Sequence, residues 1–300
     1  LQGTINQEYV TRADDNGFAN GDKMGVYIID YEGDNPGSMT GSLHRASNMI
    51  YTYNADDNSW NNSTTLYWKD SVTPVDIYGY YPGVDHIENP TEYSFEVDYR
   101  QDVLPADGSM SAYEASDFLW AKAEGVAKSD GAVSLQMKHS MSRLVVKIMA
   151  GEEYIGSLPS DATVHLHSTV TDAQLSLANG SVVKDPYGGA HSIKMRNLGI
   201  RNFAEGQAVV YEAIVVPQML ETSVPLLEIN SKSVSYLLED MFNFKPGVSY
   251  TYTAVLNAST TSIKVEIGCE IEDWNNIGGS EGEGGSGSEG EDDGVDLSAY

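Results

Sequence analysis

Apolar and polar residues alternate one by one along much of this chain, and that alternation restricts it to β-structure. Residues 131–150 show the pattern twice in succession, over 133–138 and over 144–149, with a polar joint at 139–143 between them. Successive side chains of a strand point to opposite faces, so a period of two places each apolar set on one side of a sheet. The segment is therefore predicted to form two short strands that complete a first folding unit near mid-chain.

Other segments carry the same alternation, or short aromatic and β-branched runs bounded by glycine, proline and asparagine. These segments are 23–31, 49–53, 66–68, 74–82, 93–97, 117–121, 164–167, 173–177, 208–217, 248–256 and 263–271. The sequence shows no helical pattern longer than two turns and no fixed-period repeat. An all-β fold of packed sandwiches is therefore predicted, with an N-terminal β-sandwich domain at 1–150 and a C-terminal one at 151–277.

The composition changes at Gly278, because residues 278–294 consist only of glycine, serine, glutamate and aspartate. Such a segment is too polar to fold alone, and a flexible acidic linker is predicted. The last six residues alternate again, with Val295, Leu297 and Ala299 on one side. They either fray or dock weakly, within the molecule or on a neighbouring one, as a short strand-exchange segment.

The net charge disfavours two classes of partner. The chain has 44 aspartate and glutamate residues against 17 lysine and arginine residues, a formal charge of -27 at pH 7. This charge repels nucleic acids and anionic membrane surfaces, and solubility alone explains it.

The one cysteine excludes an intrachain disulfide. No apolar stretch is long enough to span a bilayer, no signal peptide is visible, and the start at Leu1 indicates a processed or trimmed form.

Motifs that mark catalytic or cofactor sites are missing from the sequence, among them G-x-S-x-G, the P-loop, G-x-G-x-x-G and H-E-x-x-H. Carboxylates are so frequent that pairs of them indicate nothing about glycoside hydrolysis. His165 and His167 share a strand face and could clamp a metal ion, but no third ligand is apparent and solvent-facing strand positions explain them better. The acidic groups at 14–16 and 56–58 do not fit a calcium-binding loop. We therefore expect no enzyme, no cofactor and no metal.

Three aromatic residues in the first predicted domain have two interpretations. Trp60, Tyr67 and Trp68 could form a platform on which a sugar ring stacks. Large aromatic side chains are more often buried, so core positions in the first sandwich are the favoured interpretation. An exposed, coplanar pair among the three would support glycan binding.

Five segments, in this order, resemble motifs of the bacterial fimbrillin-like pilus subunits. Residues 18–27, FANGDKMGVY, are similar to the opening F-x-x-G-D-x-[IM]-G-V-[YF], and residues 67–82 to the segment Y-W-P … V-D-F-Y-A-Y-Y-P. Residues 117–121 resemble D-L-L-Y-A, residues 137–144 resemble F-x-H-x-[ML]-[SA]-[KR]-[LV], and residues 271–274 resemble the closing I-x-x-W. Each match is short, but the ordered set spans roughly residues 11–277 and is fairly specific.

The resemblance implies two transthyretin-like β-sandwiches in tandem and a role as a fimbrial subunit or adhesin of Bacteroides-type bacteria. Such subunits are exported as lipoproteins to the outer membrane and form homo- or heteropolymeric fimbriae, which contact host proteins or glycans. In the family, a protease cuts after a basic residue near the N-terminus and removes a strand, and the groove left behind accepts a strand of the next subunit. Arg12 and Ala13 occupy the position of that cleavage, and Arg12 is also explained as an ordinary loop residue.

Two other classes of protein stay open at this point. A surface carbohydrate-binding lipoprotein that never polymerises would have the same composition and an exposed aromatic platform. A glycosidase-like enzyme would need two carboxylates facing each other across a cleft about 5–10 Å wide. The predicted function is a non-catalytic fimbrial subunit that assembles by strand exchange, with the carbohydrate-binding lipoprotein as the alternative.

Overall fold

The structure is a computed structural model, and it describes residues 17–274 except 107–108, 129–132, 153, 222–224, 232–233, 240 and 260–261. At 231, 234–239, 257–259 and 262–269 it describes the backbone alone. Within these limits the chain is almost entirely β-structure with one short helix, which confirms the predicted all-β fold. Among the described residues, no helix has the length and apolarity needed to cross a bilayer.

Among the described residues, the N-terminal half contains nine strands and the helix. They are β1 (Lys23–Glu32), β2 (Asn35–Pro36), β3 (His44–Asn54), β4 (Ser59–Asn61), β5 (Val75–Tyr81), β6 (Tyr93–Glu96), α1 (Ala112–Ser116), β7 (Leu119–Val126), β8 (Lys138–His139) and β9 (Ser142–Ala150). The helix begins with a capping box: the Ser111 hydroxyl accepts from the Glu114 N–H, and the Glu114 carboxylate accepts from the Ser111 N–H. This reciprocal pair satisfies two backbone donors that a first helical turn leaves open.

The C-terminal half adds twelve strands among the described residues. They are β10 (Thr163–Val170), β11 (Asp172–Ser176), β12 (Ser181–Lys184), β13 (Ala190–Lys194), β14 (Arg196–Phe203), β15 (Gly206–Val215), β16 (Met219–Leu220), β17 (Pro225–Ser231), β18 (Val234–Glu239), β19 (Phe242–Asn243), β20 (Val248–Ser259) and β21 (Ser262–Asp273). The apolar run in β15 is buried continuously from Ala208 to Val215. This continuous burial indicates a strand covered on both faces.

These strands form four main sheets and one short pair. The largest sheet has the order β4-β3-β1-β5-β7-β8, with β2 paired to β1. A three-stranded sheet has the order β12-β11-β6, a four-stranded sheet β13-β10-β17-β18, and a five-stranded sheet β14-β15-β9-β20-β21; β16 and β19 pair alone. Strands β9 and β20 run parallel, and every other strand pair described is antiparallel.

The sheets pack face to face. Tyr93 and Phe95 of β6 lie 6.2 and 5.3 Å from Phe118, measured between ring centroids. Trp120 of β7 donates its indole N–H to the carbonyl of Leu177, which follows β11. The three-stranded sheet therefore lies on one face of the seven-stranded sheet. In the C-terminal half, apolar residues of β9, β15 and β20 share one buried core with those of β10 and β17, so the five-stranded and four-stranded sheets face each other.

Packing between neighbouring strands explains Gly25 in the G-D-x-M-G-V motif. Gly25 of β1 lies opposite Tyr80 of β5 in the antiparallel ladder. The buried Tyr80 ring lies directly over the glycine, and an added Cβ would overlap the ring. A residue with a side chain would have to displace that ring, so the motif requires glycine here.

The structure differs from the prediction at residues 131–150. Residues 133–137 lie outside any strand, although Leu135 and Met137 are buried; their alternation reflects burial of an extended segment rather than pairing in a ladder. Strand β8 pairs with β7 in the seven-stranded sheet, whereas β9 pairs with β15 and β20 in the C-terminal half and does not complete the first unit. Periodicity identifies a strand but not its partner, because pairing is non-local.

The domain division at residue 150 is crossed by two sets of strand pairs. Strand β9 precedes residue 151 and pairs with strands that follow it. Strand β6 of the N-terminal half pairs with β11 of the C-terminal half. The division into 1–150 and 151–277 stays a proposal, with these pairings joining the two parts.

Candidate assembly site

The seven-stranded sheet is buried on both faces, but the two faces are covered differently. One face packs on the three-stranded sheet. The other carries apolar side chains of five strands: Met24, Val26, Ile28, Ala46, Tyr51, Tyr53, Trp60, Val75, Ile77, Tyr81, Leu119 and Ala121. In the described part of the chain, the buried residues that pack on them come from outside the strands: Phe18, Leu66, Leu135 and Met137. We call this side of the sheet the loop-covered face.

Phe18 forms the N-terminal end of this cover. Its ring packs edge-on against Trp60 and Tyr81, with ring centroids 4.8 and 5.0 Å apart, and lies 5.8 Å from Tyr53. The backbone that follows is fixed to β3, since the Gly21 N–H donates to the Tyr53 carbonyl. The chain upstream of Phe18 therefore starts from a fixed point on the loop-covered face.

Residues 133–137 lie across the same face as an extended segment. Leu135 approaches β5 at Gly79, where an added Cβ would lie 2.9 Å from Leu135 Cδ1. Leu135 and Met137 are buried, whereas Gln136 between them is exposed. Because this segment is outside any strand ladder, its apolar contacts hold it on the sheet.

A cleft of about 680 Å³ opens beside the loop-covered face. It is lined by residues 19–23, 82–83, 104–105 and 109–111, with Glu114 and Arg196. Leu104 in its wall is 66% exposed, and Met110 also packs against the apolar cluster of the loop-covered face. The cleft is therefore lined both by the exposed apolar side chain of Leu104 and by the backbone that follows Phe18.

The buried carboxylate of Asp76 on β5 bonds to residues of β1 and β7, the strands on either side. Asp76 accepts from the Tyr31 hydroxyl and the Gly125 N–H, both at 2.9 Å, and its other oxygen lies 3.1 Å from Lys122 Nζ. Burial opposes ionisation of Asp76, but these three donors outweigh it and lower the pKa of the carboxyl. Burial also opposes the charge of Lys122, but its bonds to Glu124 and Asp76 prevail and raise the pKa of the ammonium.

A second buried group, the Trp274 cluster, consists of Asp117, His139, Arg143 and Trp274. The indole stacks on the His139 imidazole, with centroids 3.6 Å apart and planes inclined by 10°, and the Arg143 guanidinium lies 5.2 Å from the Trp274 ring. His139 Nδ1 bonds to Asp117 Oδ1 at 2.9 Å, and both residues are buried. The cluster joins the end of β21 to β8 and to the residue that follows α1.

Three of the sequence-predicted site residues lie in the described part of the chain. Trp60 is buried in the core against Phe18 and Tyr53. Tyr67 is 76% exposed, and Trp68 is half-buried against the core that contains Trp60. The structure therefore does not bring these three rings together as one exposed platform.

The remaining sequence-predicted site residues, Arg12, Ala13, Val295, Leu297 and Ala299, lie outside the described residues, as does the whole of 278–300.

Histidine and carboxylate side chains are potential metal ligands, and their arrangement decides whether they can hold an ion. Among the residues that the structure describes, no three histidine, cysteine, aspartate or glutamate side chains are arranged to hold an ion. His165 and His167 do share one face of β10, with ring centroids 6.0 Å apart. The acidic group at 56–58 lies in the turn between β3 and β4.

Sequence reasoning did not single out Phe18, Asp117, His139 or Trp274 as site residues. Asp117, His139 and Trp274 belong to three different segments that resemble family motifs, but nothing in their spacing brings them together. Phe18 is the first residue of another such segment. Each is an aromatic or ionisable residue, but its segment contains others of that kind, so residue type alone does not identify it.

The described residues define an all-β protein organised for packing and strand pairing. The sequence identifies the family: residues 11–274 match the fimbrillin-like family, and the chain belongs to that family. A comparison with curated proteins found no match.

Solved structures support the fold. A provisionally named cell adhesion protein of Bacteroides uniformis has a TM-score of 0.66 and 20% identity, and the match covers 91% of this chain and 97% of that one. A provisionally named cell adhesion protein of Bacteroides ovatus has a TM-score of 0.64 and 20% identity, over 91% of this chain and 96% of that one. A fimbrial protein of Bacteroides vulgatus has a TM-score of 0.50 and 12% identity, over 90% and 99%. At these identities the likeness concerns the fold alone.

Membership of the family sets the class of function. The fimbrillin-like family consists of structural fimbrial subunits and not of enzymes, which confirms the prediction of a non-catalytic protein. A pilus or adhesion subunit is the role that this family supports. Fimbriae are surface structures, so the protein belongs at the cell surface or outside the cell.

Proposed function

We propose that this protein is a fimbrial subunit that assembles with other subunits by strand exchange on the loop-covered face. The observation that carries the proposal is how this face is covered: side chains outside the strands, such as Phe18 and Leu135, pack on the sheet there. A donor strand laid on the same face would bury alternate side chains against the sheet, and its main-chain groups would hydrogen-bond at a strand edge beside that face.

The energetics favour a long donor strand over a short one. A strand of about ten residues presents about five inward side chains, whose burial supplies roughly 10 kcal/mol as an upper estimate. Ladder hydrogen bonds add about 1 kcal/mol each. Association costs about 4–15 kcal/mol in lost freedom, so a full strand can bind tightly while a segment with three inward side chains binds weakly.

The position of Phe18 is compatible with processing at Arg12. Phe18 lies six positions after Arg12, and an extended chain of that length spans at most about 20 Å. Residues before Arg12 can therefore lie along the loop-covered face and leave it after cleavage, while Phe18 stays in the core. Removal of that segment opens the face to a strand of another subunit.

Cleavage after Arg12 is expected to convert the monomer into higher oligomers. The full chain is incubated with an arginine-specific protease, and its size is followed by light scattering after size-exclusion chromatography. Arg12→Ala should block this cut and keep the protein monomeric. Arg100→Ala, which removes an arginine side chain that is 65% exposed, is the matched control and should assemble like the unmodified chain.

Cleavage at Arg12 without a change in size would contradict strand exchange. That outcome would favour the alternative, a non-polymerising carbohydrate-binding lipoprotein. The exposure of Tyr67 is the observation that favours this second candidate, since an exposed aromatic ring is a surface on which a sugar can stack.

The C-terminal segment is proposed as a weak second contact. Residues 278–294 span about 20–25 Å as a coil and about 55 Å when extended, which is enough to reach a neighbouring domain. Deleting 278–300, or replacing Val295 and Leu297 by aspartate, should lower the oligomer yield after cleavage. Asp296→Ala with Ser298→Ala changes the polar side of the segment and serves as the control. Unchanged assembly of the deletion variant, by light scattering or electron microscopy, would contradict a role of the C-terminal segment in assembly.

Three finer features of the proposal rest on what the resemblance to the family implies. The precursor is anchored to the outer membrane by a lipid, its subunits meet other pilins and host proteins or glycans, and the domains at 1–150 and 151–277 are transthyretin-like. Fractionation of cells that make the complete precursor tests the anchor; recovery of the protein only in the culture medium would contradict it.

A further inference from the structure

A group of polar side chains on the outer face of the four-stranded sheet is not used by the proposed assembly. His165 and His167 stand two positions apart on β10, on one face, and Glu228 of β17 lies directly opposite His165 in the ladder. His167 Nε2 lies 2.9 Å from Glu228 Oε2, and its Nδ1 lies 2.6 Å from the Ser192 hydroxyl. Two imidazoles and a carboxylate from neighbouring strands therefore lie next to one another on one face of the sheet.

His165 has an unused ring nitrogen within this group. Its Nδ1 is buried and has no hydrogen-bond partner. The His165 ring lies nearly parallel to that of His167, with planes inclined by 17°.

We propose that His165, His167 and Glu228 form a surface site for a divalent transition-metal ion such as Zn²⁺. Two imidazole nitrogens and one carboxylate oxygen are a ligand set that zinc accepts, with water in the fourth position. The sequence pattern showed only the two histidines. The third ligand became visible through strand register, because Glu228 is 61 residues from His167 in the chain.

The contact between His167 and Glu228 has nearly the spacing that an ion needs. Two ligands at about 2.0–2.1 Å from a tetrahedral ion lie about 3.3 Å apart, so the 2.9 Å pair has to open by only a few tenths of an ångström. The ion takes the place of the proton between Nε2 and the carboxylate. His167 then carries its proton on Nδ1 and donates it to the Ser192 hydroxyl, which fixes the ring orientation.

The site is not preformed at His165. Its ring must turn until a nitrogen points at the ion, because the three ligands do not converge on one point as they lie. A cleft of about 460 Å³, lined in part by His167, His191 and Glu228, adjoins the group and leaves room for bound water.

The charges around the site permit a cation. Lys194 lies opposite His165 on the other side of β10, but its ammonium is paired with Asp102 at 2.7 Å. The net charge of -27 also raises the local concentration of cations around the protein.

Calorimetric titration of the full chain with ZnCl₂ tests the proposal. The expected result is one ion bound per chain, with His165→Ala, His167→Ala and Glu228→Gln each weakening the affinity at least about tenfold. His86→Ala removes an exposed loop histidine elsewhere and should leave the affinity unchanged. A second titration with NiSO₄, whose ion favours imidazole over carboxylate ligands, should show larger losses of affinity for His165→Ala and His167→Ala than for Glu228→Gln.

Two outcomes would overturn the site. The first is zinc binding with the same affinity in the unmodified chain and in the variant that carries both His165→Ala and His167→Ala. The second is binding that disappears when 278–300 is deleted but survives His165→Ala and His167→Ala, since the acidic tail would then hold the ion.

Discussion

Replacing Trp274 by alanine is expected to lower the free energy of unfolding by about 3–5 kcal/mol. The indole is among the largest fully buried side chains, and it fills the space against His139 and Arg143. Its removal leaves a cavity and admits water to the buried hydrogen bond between His139 and Asp117. Urea unfolding followed by circular dichroism measures the change without depending on tryptophan fluorescence.

Two further variants distinguish the specific role of the Trp274 stack from a general loss of aromatic surface. Tyr67→Ala removes a ring that is 76% exposed and should change stability by less than about 0.5 kcal/mol. Trp274→Phe keeps a ring on His139 and should recover part of the loss. Equal, small effects of Trp274→Ala and Tyr67→Ala would show that the stack does not fix the end of β21.

The Trp274 cluster also bears on assembly. The segment with the candidate strand-exchange residues Val295, Leu297 and Ala299 follows Trp274 in the chain. Because the indole is held by His139 of β8 and the backbone N–H of Trp274 donates to the Gly247 carbonyl, the starting point of that segment is fixed on the folded protein. A fixed origin limits which surfaces the segment can reach.

Local pattern sufficed to predict the class of fold. Alternation depends on the two faces of a strand, which is a property of a few adjacent residues, and β9 and β10 formed where it predicted them. The same pattern misassigned 133–137, since an extended segment that buries Leu135 and Met137 on a sheet needs no ladder. The partners of β6 and β9 were not predictable, because pairing joins residues far apart in the chain.

The candidate site was predictable only as a set of motifs. The segments that resemble the family contain Phe18, Asp117, His139 and Trp274 but do not single them out, because their contacts arise from the packing of distant strands. Aromatic residues of the kind considered for sugar stacking divided between core and surface: Trp60 is buried and Tyr67 is exposed. Burial of a single side chain depends on what the fold lays over it, and local sequence does not contain that information.

Replacing Asp76 by alanine is expected to destabilise the protein by about 1–3 kcal/mol, because three donors lose their acceptor, a buried carboxylate. The Tyr31 hydroxyl, the Gly125 N–H and the Lys122 ammonium all bond to this carboxylate, and they come from β1 and β7 on either side of β5. Asp76→Asn retains a carbonyl acceptor but removes the charge, so a smaller loss is expected. Urea unfolding at neutral pH measures both variants.

The loss caused by Asp76→Asn should depend on pH. The pKa of Asp76 is lower in the folded protein than the value of about 3.9 expected of an unfolded chain. Its ionised form therefore stabilises the fold above that value, and the contribution disappears as the pH falls through the lower pKa of the folded state. The difference between wild type and Asp76→Asn should be largest at neutral pH and shrink below about pH 4. Asp56→Asn, at an exposed turn position, should differ little from wild type throughout, and a difference for Asp76→Asn that stays constant into acid would contradict a role for the Asp76 charge.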